Sequence, residues 1–358
     1  MKYLDLKRIN EPYVHAADEV MQSGWYLRGE VTKRFEQHYA DYIGTKNCVG
    51  CGNGLDALTL IFRAYKELGV MKNDDEIIVP ANTYIASILA ITECGLVPVF
   101  VEPNINTLQI DDTLIEQSIT SRTRAVMIVH LYGRCAYTGR IKEICTDYGL
   151  KLIEDNAQAH GCRFGDRCTG SLGDVAAHSF YPTKNLGAFG DAGAVTTDDD
   201  ELAELIRILG NYGSSHRYVF DYIGVNSRMD ELQAAILDAK LRDLDSINAR
   251  RREIACIYNK VENPEIRIPK CDRDSIYHIF PVISSRREEL RRYMLENGVE
   301  TEIHYPIPPN RQKCYRAWNH LSFSITERIH NQELSIPCNQ AMKDEDVSMV
   351  VDLLSSFS

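Results

Sequence analysis

The chain has 358 residues, a formal net charge of −11 and 44% hydrophobic residues. This length exceeds what one hydrophobic core usually fills, so we expect one large domain and a smaller second one. The acidic balance argues against broad binding to nucleic acid or anionic lipid, and no segment reads as a signal peptide or a membrane span. We therefore expect a cytoplasmic protein that acts on a small molecule, with no nucleic-acid or membrane partner.

Residues 48–58, CVGCGNGLDAL, are open to three interpretations. Cys48 and Cys51 form a C-x-x-C pair, as in a redox motif or half of a zinc site. The glycines and alanine that follow fit the dinucleotide pattern G-x-G-x-x-A, and the same glycines before an apolar helix can hold one phosphate. Zinc would need two more ligands, and the sequence has neither a second C-x-x-C nor a close His pair, so we expect no metal.

Helical stretches alternate with short apolar runs between residue 53 and about residue 198. Leu58, Ile61, Phe62 and Tyr65 recur at helical spacing and predict one buried face of a helix. The predicted strands are EIIVP, VPVFVE, RAVMIVH, LKLIEDN, VAAHSFYP and AGAVTTD. Strands that are apolar on both faces and separated by helices indicate a mainly parallel sheet covered on both sides, that is, an α/β domain.

The dinucleotide interpretation requires an acidic residue after the second strand, about 20 residues beyond the glycines. The candidates Asp74, Asp75 and Glu76 come before the strand residues IIVP instead. A redox role requires an accessible thiol, whereas the C-x-x-C reads as the end of a buried strand. We therefore interpret the glycine-rich stretch as a phosphate cradle.

The C-terminal part has a different pattern. One long helix is predicted from residue 228 onward, with Met229, Leu232, Ile236 and Ala239 as its apolar stripe. YHIFPVIS and TEIHYPI are predicted strands, and REELRRYMLENG is a predicted amphipathic helix that ends at Gly298. We expect a large domain over residues 1–245, whose N-terminal segment can pack on the small domain, and a small α+β domain over residues 246–358.

Two ionisable residues fall at predicted strand ends, where ligands gather in open parallel sheets. Asp155 ends LKLIED, and Lys184 follows the strand VAAHS in a glycine-rich loop. Taken singly, Asp155 could cap a helix and Lys184 could be a surface lysine. Together with the phosphate cradle they match what pyridoxal phosphate requires, namely an amine for the aldehyde, a carboxylate for the ring nitrogen and N–H groups for the phosphate.

Five segments, in this order along the chain, resemble a known family: GNGLDAL, VPANTYIAS, EDNAQAHG, SFYPTKNLGAFGDAGAV and GVNSRMDELQAA. The family is the DegT/DnrJ/EryC1/StrS sugar aminotransferases. The further segments HLYG, TEIHYPIPP and LSIPC make the chain similar to the enzymes that form dTDP-3-amino-3,6-dideoxyhexoses. The resemblance implies the aspartate aminotransferase (type I pyridoxal phosphate) fold, with a mainly parallel seven-stranded sheet flanked by helices and a smaller C-terminal α+β domain.

The resemblance also implies roles for individual residues. Lys184 matches the lysine that forms a Schiff base with the cofactor, and Asp155 matches the partner of its ring nitrogen. The other implied cofactor contacts are Gly54 and Leu55 (backbone donors to the phosphate), Ser179 (hydroxyl donor to the phosphate), Tyr84 (stacking on the ring), Gln158 (ring and hydroxyl) and Asn226 (phosphate of the neighbouring subunit). The last role implies a homodimer with shared active sites.

Contacts to the substrate are predicted from position. The candidates are Tyr181, Arg217, His304 and Tyr305, with His216, Arg311 and Lys313 as further cationic side chains. A solvated charged loop is the alternative for the four cationic residues. Thr183 and Asn310 depart from the residues that the family usually has, and Asn310 is expected near the sugar.

The expected reaction is a transamination from L-glutamate to the C3 ketone of a nucleotide-linked 6-deoxyhexose, in which Lys184 moves the proton in both halves. Three alternatives remain open at this stage. They are amination at C4, a regulatory protein that binds the cofactor without turnover, and a nicotinamide-dependent sugar oxidoreductase. A related dehydratase is disfavoured because such enzymes replace the lysine with His.

Overall fold

The computed structural model describes residues 1–270, 272 and 274–358. Its α-helices are α1 (Leu6–Asn10), α2 (Asp18–Ser23), α3 (Glu30–Ile43), α4 (Gly54–Glu67), α5 (Ile85–Glu93), α6 (Gly139–Asp147), α7 (Asp200–Gly210), α8 (Glu231–Leu241), α9 (Leu244–Tyr258), α10 (Arg287–Glu296), α11 (Ser324–Gln332) and α12 (Asp344–Ser356). Its strands are β1 (Asn47–Cys51), β2 (Glu76–Pro80), β3 (Val97–Val101), β4 (Thr123–Val129), β5 (Lys151–Asp155), β6 (Arg163–Phe164), β7 (Arg167–Cys168), β8 (Val175–Ser179), β9 (Gly193–Thr197), β10 (Ser214–His216), β11 (Val219–Phe220), β12 (Phe280–Ile283) and β13 (Glu333–Ile336).

Seven strands form the central sheet, in the order β1-β9-β8-β5-β4-β2-β3. Strands β3, β2, β4, β5 and β8 pair in parallel, and β9 is antiparallel to both of its neighbours. The six apolar runs predicted as strands are β2, β3, β4, β5, β8 and β9. The mainly parallel α/β sheet predicted from the sequence is therefore confirmed.

Helices cover both faces of this sheet. Leu58, Ile61, Phe62 and Tyr65 of α4 are buried in one cluster with side chains of α5 and α7. On the opposite face, α3 and α8 pack on one half of the sheet and α6 on the other half. The strands are apolar on both faces because both faces are covered.

The strand register brings three strand ends to one edge of the sheet. Asp155, the last residue of β5, is opposite Ala177 of β8. Ser179, the last residue of β8, is opposite Gly193, and Gly193 is also opposite Cys51 at the end of β1. Because β1, β5 and β8 run in the same direction, the residues that follow them meet at the same edge.

The predicted long helix after residue 228 is wrong, because the structure has two helices there, α8 and α9. The N–H of Asp243 bonds to the carbonyl of Lys240, three residues back, which interrupts the regular helical ladder before α9 begins. The predicted apolar stripe is also incomplete, since Leu232 and Ala239 are only partly buried while Ala234 and Leu237 are fully buried.

The predicted strand TEIHYPI is wrong as well. Only Glu302 forms a bridge, to Ser335 of β13, and the chain then leaves the strand. Pro306 and Pro308 follow within a few residues, and proline has no N–H to donate to a ladder.

The C-terminal part has its own apolar cluster, which extends from Ile254 to Phe357 and includes the β12–β13 pair. The helix predicted over REELRRYMLENG is α10, and Gly298 behind it has a φ of 79°. Met1 packs on this cluster, and its carbonyl accepts from the N–H of Glu300. The division at residues 245 and 246, which falls in the first turn of α9, stays a prediction.

None of the helices in the described part of the chain has the length and the apolar character needed to cross a membrane.

A buried carboxylate joins the two ends of the large α/β unit. Glu231, the first residue of α8, accepts from the backbone N–H of Gly29 at 2.8 Å, Val31 at 3.0 Å and Thr32 at 3.1 Å. These are the N–H groups at the start of α3 that have no partner within the helix. Glu231 is 2% exposed, so it replaces water as the partner of these groups.

We predict that Glu231→Ala lowers the free energy of unfolding by about 3 kcal/mol, since it leaves several buried N–H groups without an acceptor. The matched control is Glu30→Ala, whose carboxylate lies at the same helix start but pairs with Lys33 on the exposed surface. It should cost less than about 0.5 kcal/mol. Chemical denaturation at one protein concentration measures both values, and equal losses in the two variants would contradict the capping role.

Candidate active site

Lys184 lies in the loop that follows β8. Its backbone N–H bonds to the carbonyl of Tyr181 at 2.8 Å, which forms a tight turn around the lysine. The side chain is partly buried. Burial lowers the pKa of the Lys184 amine to about 8, while the carboxylate of Asp155 acts in the opposite direction. The amine therefore has an appreciable neutral, nucleophilic fraction near neutral pH.

Asp155 is buried at the end of β5, with an exposure of 6%. Its Oδ2 accepts from the hydroxyl of Ser87 at 2.7 Å, and Ser87 is in turn 2.7 Å from the hydroxyl of Thr83. Burial raises the pKa of the Asp155 carboxyl, and the hydrogen bond from Ser87 opposes this effect. No α-helix follows β5 directly in the described residues, so Asp155 does not cap one.

An aromatic and amide cluster stands beside this pair. Tyr84 precedes α5 and is 49% exposed, and its ring centroid is 4.7 Å from that of Tyr305. The amide nitrogen of Gln158 donates to the hydroxyl of Tyr305 at 2.9 Å. The amide oxygen of Gln158 accepts from the backbone N–H of Tyr132 at 2.6 Å. Both ends of the Gln158 amide are thus held, while the ring of Tyr84 stays accessible to a ligand.

Tyr132 has an unusual backbone conformation in the HLYG segment. Its φ is 64°, in the left-handed region that residues other than glycine seldom adopt. Such a conformation costs on the order of 1 kcal/mol and persists only where the surroundings hold it. Here it allows the N–H of Tyr132 to reach Gln158 while its hydroxyl donates to the carbonyl of His304 at 2.6 Å.

The start of α4 lies against the end of β8. Asn53 caps the helix by accepting from the N–H of Asp56 at 2.8 Å. A Cβ on Gly54 would lie 2.5 Å from the Cβ of Ser179, so only glycine allows this approach. Leu55 follows with its side chain packed on the core. The free N–H groups of the first turn are therefore available to an anion beside the Ser179 hydroxyl.

Cys48 and Cys51 are buried in β1, with exposures of 4% and 0%. Burial raises the pKa of both thiols, so neither is a reactive thiolate. The stretch CVGCGNGLDAL is a buried strand that leads into a helix start, as the phosphate-cradle interpretation requires.

Three other predicted residues are exposed. Asn226 is exposed in a groove with Asp56 and Arg63. Arg217 and His216 lie on the exposed β10–β11 hairpin, where the guanidinium of Arg217 stacks on the ring of Tyr218 at 5.1 Å.

The predicted residues of the 310–313 segment either have partners in their own loop region or are exposed. Arg311 bonds to Glu327 at 2.6 Å and to the carbonyl of Asn319, and Lys313 is exposed. Asn310 is fully buried and donates to the carbonyl of Leu321 at 3.1 Å. These contacts indicate that Asn310 and Arg311 stabilise this loop.

Comparison with known proteins adds to this geometry. Residues 7–355 match the model of the DegT/DnrJ/EryC1/StrS aminotransferase family. The chain belongs to this family. It is 50% identical to the dTDP-3-amino-3,6-dideoxy-alpha-D-galactopyranose transaminase of Aneurinibacillus thermoaerophilus over 99% of each chain. Among solved structures, it is similar to DesV of S. venezuelae, with a TM-score of 0.94, 41% identity and coverage of 99% of this chain and 97% of DesV.

A second solved structure, NtdA of Bacillus subtilis with bound cofactor PMP, has a TM-score of 0.88 and 30% identity over 98% of this chain and 83% of NtdA. The predicted family and fold are confirmed, and the protein is a pyridoxal-phosphate-dependent aminotransferase.

The residues of this aminotransferase fit the cofactor. The close approach at Gly54 leaves room for an anion but not for a side chain, and Lys184 and Asp155 interact electrostatically at the same sheet edge. A cationic ring nitrogen against Asp155 would offset the burial that raises the pKa of its carboxyl. By the family resemblance, Lys184 would bind the aldehyde, Asp155 the ring nitrogen, and the α4 start with Ser179 the phosphate.

Sequence reasoning missed the residues that hold this site from behind. Ser87 and Thr83 support Asp155, and Tyr132 supports Gln158. These residues belong to the segments ANTYIAS and HLYG, both of which resemble the family. The resemblance of these whole segments is the signal that could have found them. Glu333 and Ser335 contact His304; Ser335 lies within the segment LSIPC and Glu333 directly precedes it.

We predict that Gly54→Ala weakens cofactor binding at least tenfold, because the added Cβ pushes the start of α4 away from Ser179. The matched control is Gly139→Ala at the first residue of α6, where a Cβ meets nothing within 4 Å. Its cofactor affinity should stay within twofold of the unsubstituted protein. Titration of the apoprotein with pyridoxal phosphate, followed by absorbance, measures both, and unchanged affinity in Gly54→Ala would rule out the cradle.

Proposed function

We propose that the protein transfers an amino group from L-glutamate to the C3 ketone of a dTDP-linked 3-keto-6-deoxyhexose. The observation that carries the proposal is the 50% identity, over 99% of each chain, to a transaminase named for a dTDP-3-amino-3,6-dideoxyhexose. The Lys184 and Asp155 pair supports it, since both groups that transamination requires lie at one sheet edge. The product is an amino sugar of the kind used in surface polysaccharides or glycosides.

The cofactor and Lys184 have different roles in the proposed reaction. Bound pyridoxal phosphate supplies an aldehyde that takes up the amino group and a ring that withdraws electrons. With a pKa of about 8, roughly one Lys184 amine in ten is neutral at pH 7. That amine can take the proton from the α-carbon of the donor and later deliver a proton to the sugar carbon. Lys184 is therefore the general base and acid of both half-reactions.

Asp155 would hold a positive charge on the ring nitrogen, and this contact would matter most when negative charge develops on the reacting carbon. Its orientation depends on Ser87, which donates to Oδ2 at 2.7 Å. Gln158, whose amide is oriented by Tyr132 and Tyr305, and Tyr84, whose ring is accessible for stacking, would hold the cofactor ring in place. These side chains position the reacting atoms against Lys184.

The proposed sugar site adjoins these residues. Tyr181 is exposed beside Lys184, and Tyr305 contacts both Tyr84 and Gln158. His304 lines a cavity together with Thr183, the residue before the lysine. Hydroxyl, phenol and imidazole groups suit a neutral sugar ring with several hydroxyls.

The deciding experiment offers glutamate-loaded enzyme a panel of 3-keto and 4-keto hexoses linked to dTDP or UDP. We expect rapid amination of the dTDP-linked 3-keto sugar, with the new nitrogen placed on C3 by mass spectrometry and NMR. Lys184→Ala serves as the control, because it should remove transfer to every sugar. Amination at C4, preference for UDP, or a bound cofactor without turnover on any sugar would refute the proposal.

We further propose that the enzyme is a homodimer with shared active sites. Asn226 is exposed in one chain although the resemblance implies a phosphate contact for it. The β10–β11 hairpin and its flanks also carry exposed apolar side chains, with exposures of 79% for Tyr218, 61% for Phe220 and 86% for Ile223. Contiguous exposed apolar side chains are typical of an interface, and a twofold interface places the same groove of each subunit against its partner.

Mixed dimers test this arrangement. Lys184→Ala lacks the amine and Asn226→Asp puts a negative charge near the phosphate, so each variant alone should be nearly inactive. A dimer of one Lys184→Ala subunit and one Asn226→Asp subunit regains one site with both native residues. Mixing and re-association should therefore restore up to about a quarter of native activity for random pairing. No recovery, with mixed dimers demonstrated by mass spectrometry, would contradict the sharing of sites.

A further inference from the structure

Strand β13 places two polar side chains against the loop that carries His304. Glu333 and Ser335 are two positions apart, so both point to the same side of the strand. Both are fully buried. The N–H of Glu302 and the carbonyl of Ser335 bond at 3.0 Å, which fixes the loop beside the strand just before His304.

The carboxyl of Glu333 holds His304 at two points. Its Oε2 accepts from the backbone N–H of His304 at 2.7 Å, and its Oε1 contacts the hydroxyl of Ser335. The same hydroxyl is 2.8 Å from Nδ1 of His304. A continuous chain of hydrogen bonds thus links the carboxyl to the imidazole.

This chain of bonds can run in either of two directions. When Glu333 is ionised, Ser335 donates to it and the hydroxyl oxygen accepts from Nδ1–H, so Nε2 has no proton. When Glu333 is protonated, it donates to Ser335, which donates to Nδ1, and the ring proton sits on Nε2. The distances are the same in both cases, but the imidazole offers an acceptor in the first and a donor in the second.

We infer that Glu333, acting through Ser335, decides which ring nitrogen of His304 carries the proton, and so sets the hydrogen bond that His304 offers to an oxygen of the ketosugar. Glu333 and Ser335 are positioning residues in this scheme. The identity of the ligand rests on the proposed function, whereas the control of the imidazole proton does not.

The two ring nitrogens of His304 differ in their hydrogen-bond partners. No hydrogen bond to Nε2 is present among the described residues, while Nδ1 is engaged by Ser335. His304 lines a cavity with Thr183, and burial together with the charge of Lys184 lowers the pKa of His304 to about 4. The imidazole therefore stays neutral at physiological pH, and its two neutral tautomers are the relevant states.

The carboxyl of Glu333 gains or loses its proton at a pH close to the physiological range. Burial raises the pKa of its carboxyl to about 8, against the hydrogen bonds from Ser335 and His304 and the charge of Arg287. The other titratable groups that interact with it belong to different segments: Tyr3, Tyr132 and Tyr305. Burial raises the pKa of all three phenols, so they stay neutral, and Glu333 is the member of this set that titrates near pH 8.

Every proton that moves in this change of tautomer has a donor and an acceptor. As the pH falls through about 8, a solvent proton binds Nε2, the proton of Nδ1 moves to the Ser335 oxygen, and the Ser335 proton moves to Oε1 of Glu333. One proton enters, one carboxylate is neutralised, and the imidazole has the same charge before and after. Nε2 of His304 thus becomes a hydrogen-bond donor instead of an acceptor, and the imidazole stays neutral.

The test observes the tautomer directly. The chain has 10 His residues, so ¹⁵N-histidine labelling gives few signals, and His304→Gln assigns those of His304. In the holoenzyme we expect the His304 nitrogen shifts to exchange their donor and acceptor positions between pH 6 and pH 9.5. In Glu333→Gln the amide oxygen takes the place of Oε2 and accepts from the His304 N–H, so the amide NH2 donates to Ser335 and the Nε2–H form should persist at every pH.

Two further variants keep the test decisive if Glu333→Gln folds poorly. Ser335→Ala retains the carboxyl but removes the link, so the His304 tautomer should no longer follow pH through about 8. Glu302→Gln, an exposed carboxylate two residues from His304, is the matched control and should behave as the native chain. An unchanged, pH-independent tautomer in the native enzyme, or native behaviour in Ser335→Ala, overturns the inference.

Kinetics of the separate half-reactions test the contact to sugar. The glutamate half-reaction needs no sugar, so it should differ less than twofold between the native chain and Ser335→Ala. Lys184, with a pKa of about 8, affects the rate in every variant, so the pH profile of the ketosugar half-reaction is divided by that of Ser335→Ala. For the native chain this ratio should change at least tenfold between pH 6 and pH 9.5, with an inflection near pH 8, whereas the ratio for Glu333→Gln should not change with pH. Loss of all sugar transfer in the native enzyme refutes the proposed function alone, because the NMR result does not depend on sugar. A native-like profile in Ser335→Ala overturns the sugar contact.

Discussion

The carboxylate of Asp155 and the amine of Lys184 interact by charge beyond the ends of the paired strands β5 and β8. The rest of the active site is arranged around this interaction. The register of β5 on β8 fixes this arrangement, since Asp155 pairs with Ala177 and β8 ends two residues later at Ser179, after which the loop with Lys184 begins. The same register, continued through Gly193, brings the start of α4 beside Ser179. A shift of one residue in any of these pairs would turn the side chains to the other face of the sheet.

Burial changes the acid–base behaviour of this region in opposite senses for acids and bases. It lowers the pKa of Lys184 and His304 and raises the pKa of Asp155 and Glu333. All four groups are consequently closer to their neutral forms at physiological pH than in water. An enzyme that must hold a charged cofactor and a neutral sugar in one cleft benefits from side chains whose charge depends on what is bound.

The sheet could be predicted well because its strands are short apolar runs bounded by glycine or polar residues, a pattern typical of buried strands. The long helix and the strand at TEIHYPI were predicted poorly, since Asp243 and Pro306 act on the backbone ladder and periodicity does not register such effects. Lys184 and Asp155 could be proposed from their places after strands. The side chains that support Asp155 and His304 could not be proposed from position alone, because the contacts of Ser87 and Ser335 join segments far apart in sequence.

The cap of α3 by Glu231 also bears on how the chain folds as it is synthesised. Val31 and its acceptor are 200 positions apart, and β1 finds its sheet partner only in β9. Helix α3 and strand β1 therefore emerge from the ribosome well before the residues that hold them in place. Contacts of such long sequence separation slow folding, so the N-terminal quarter of the enzyme lacks these native partners until translation has passed α8.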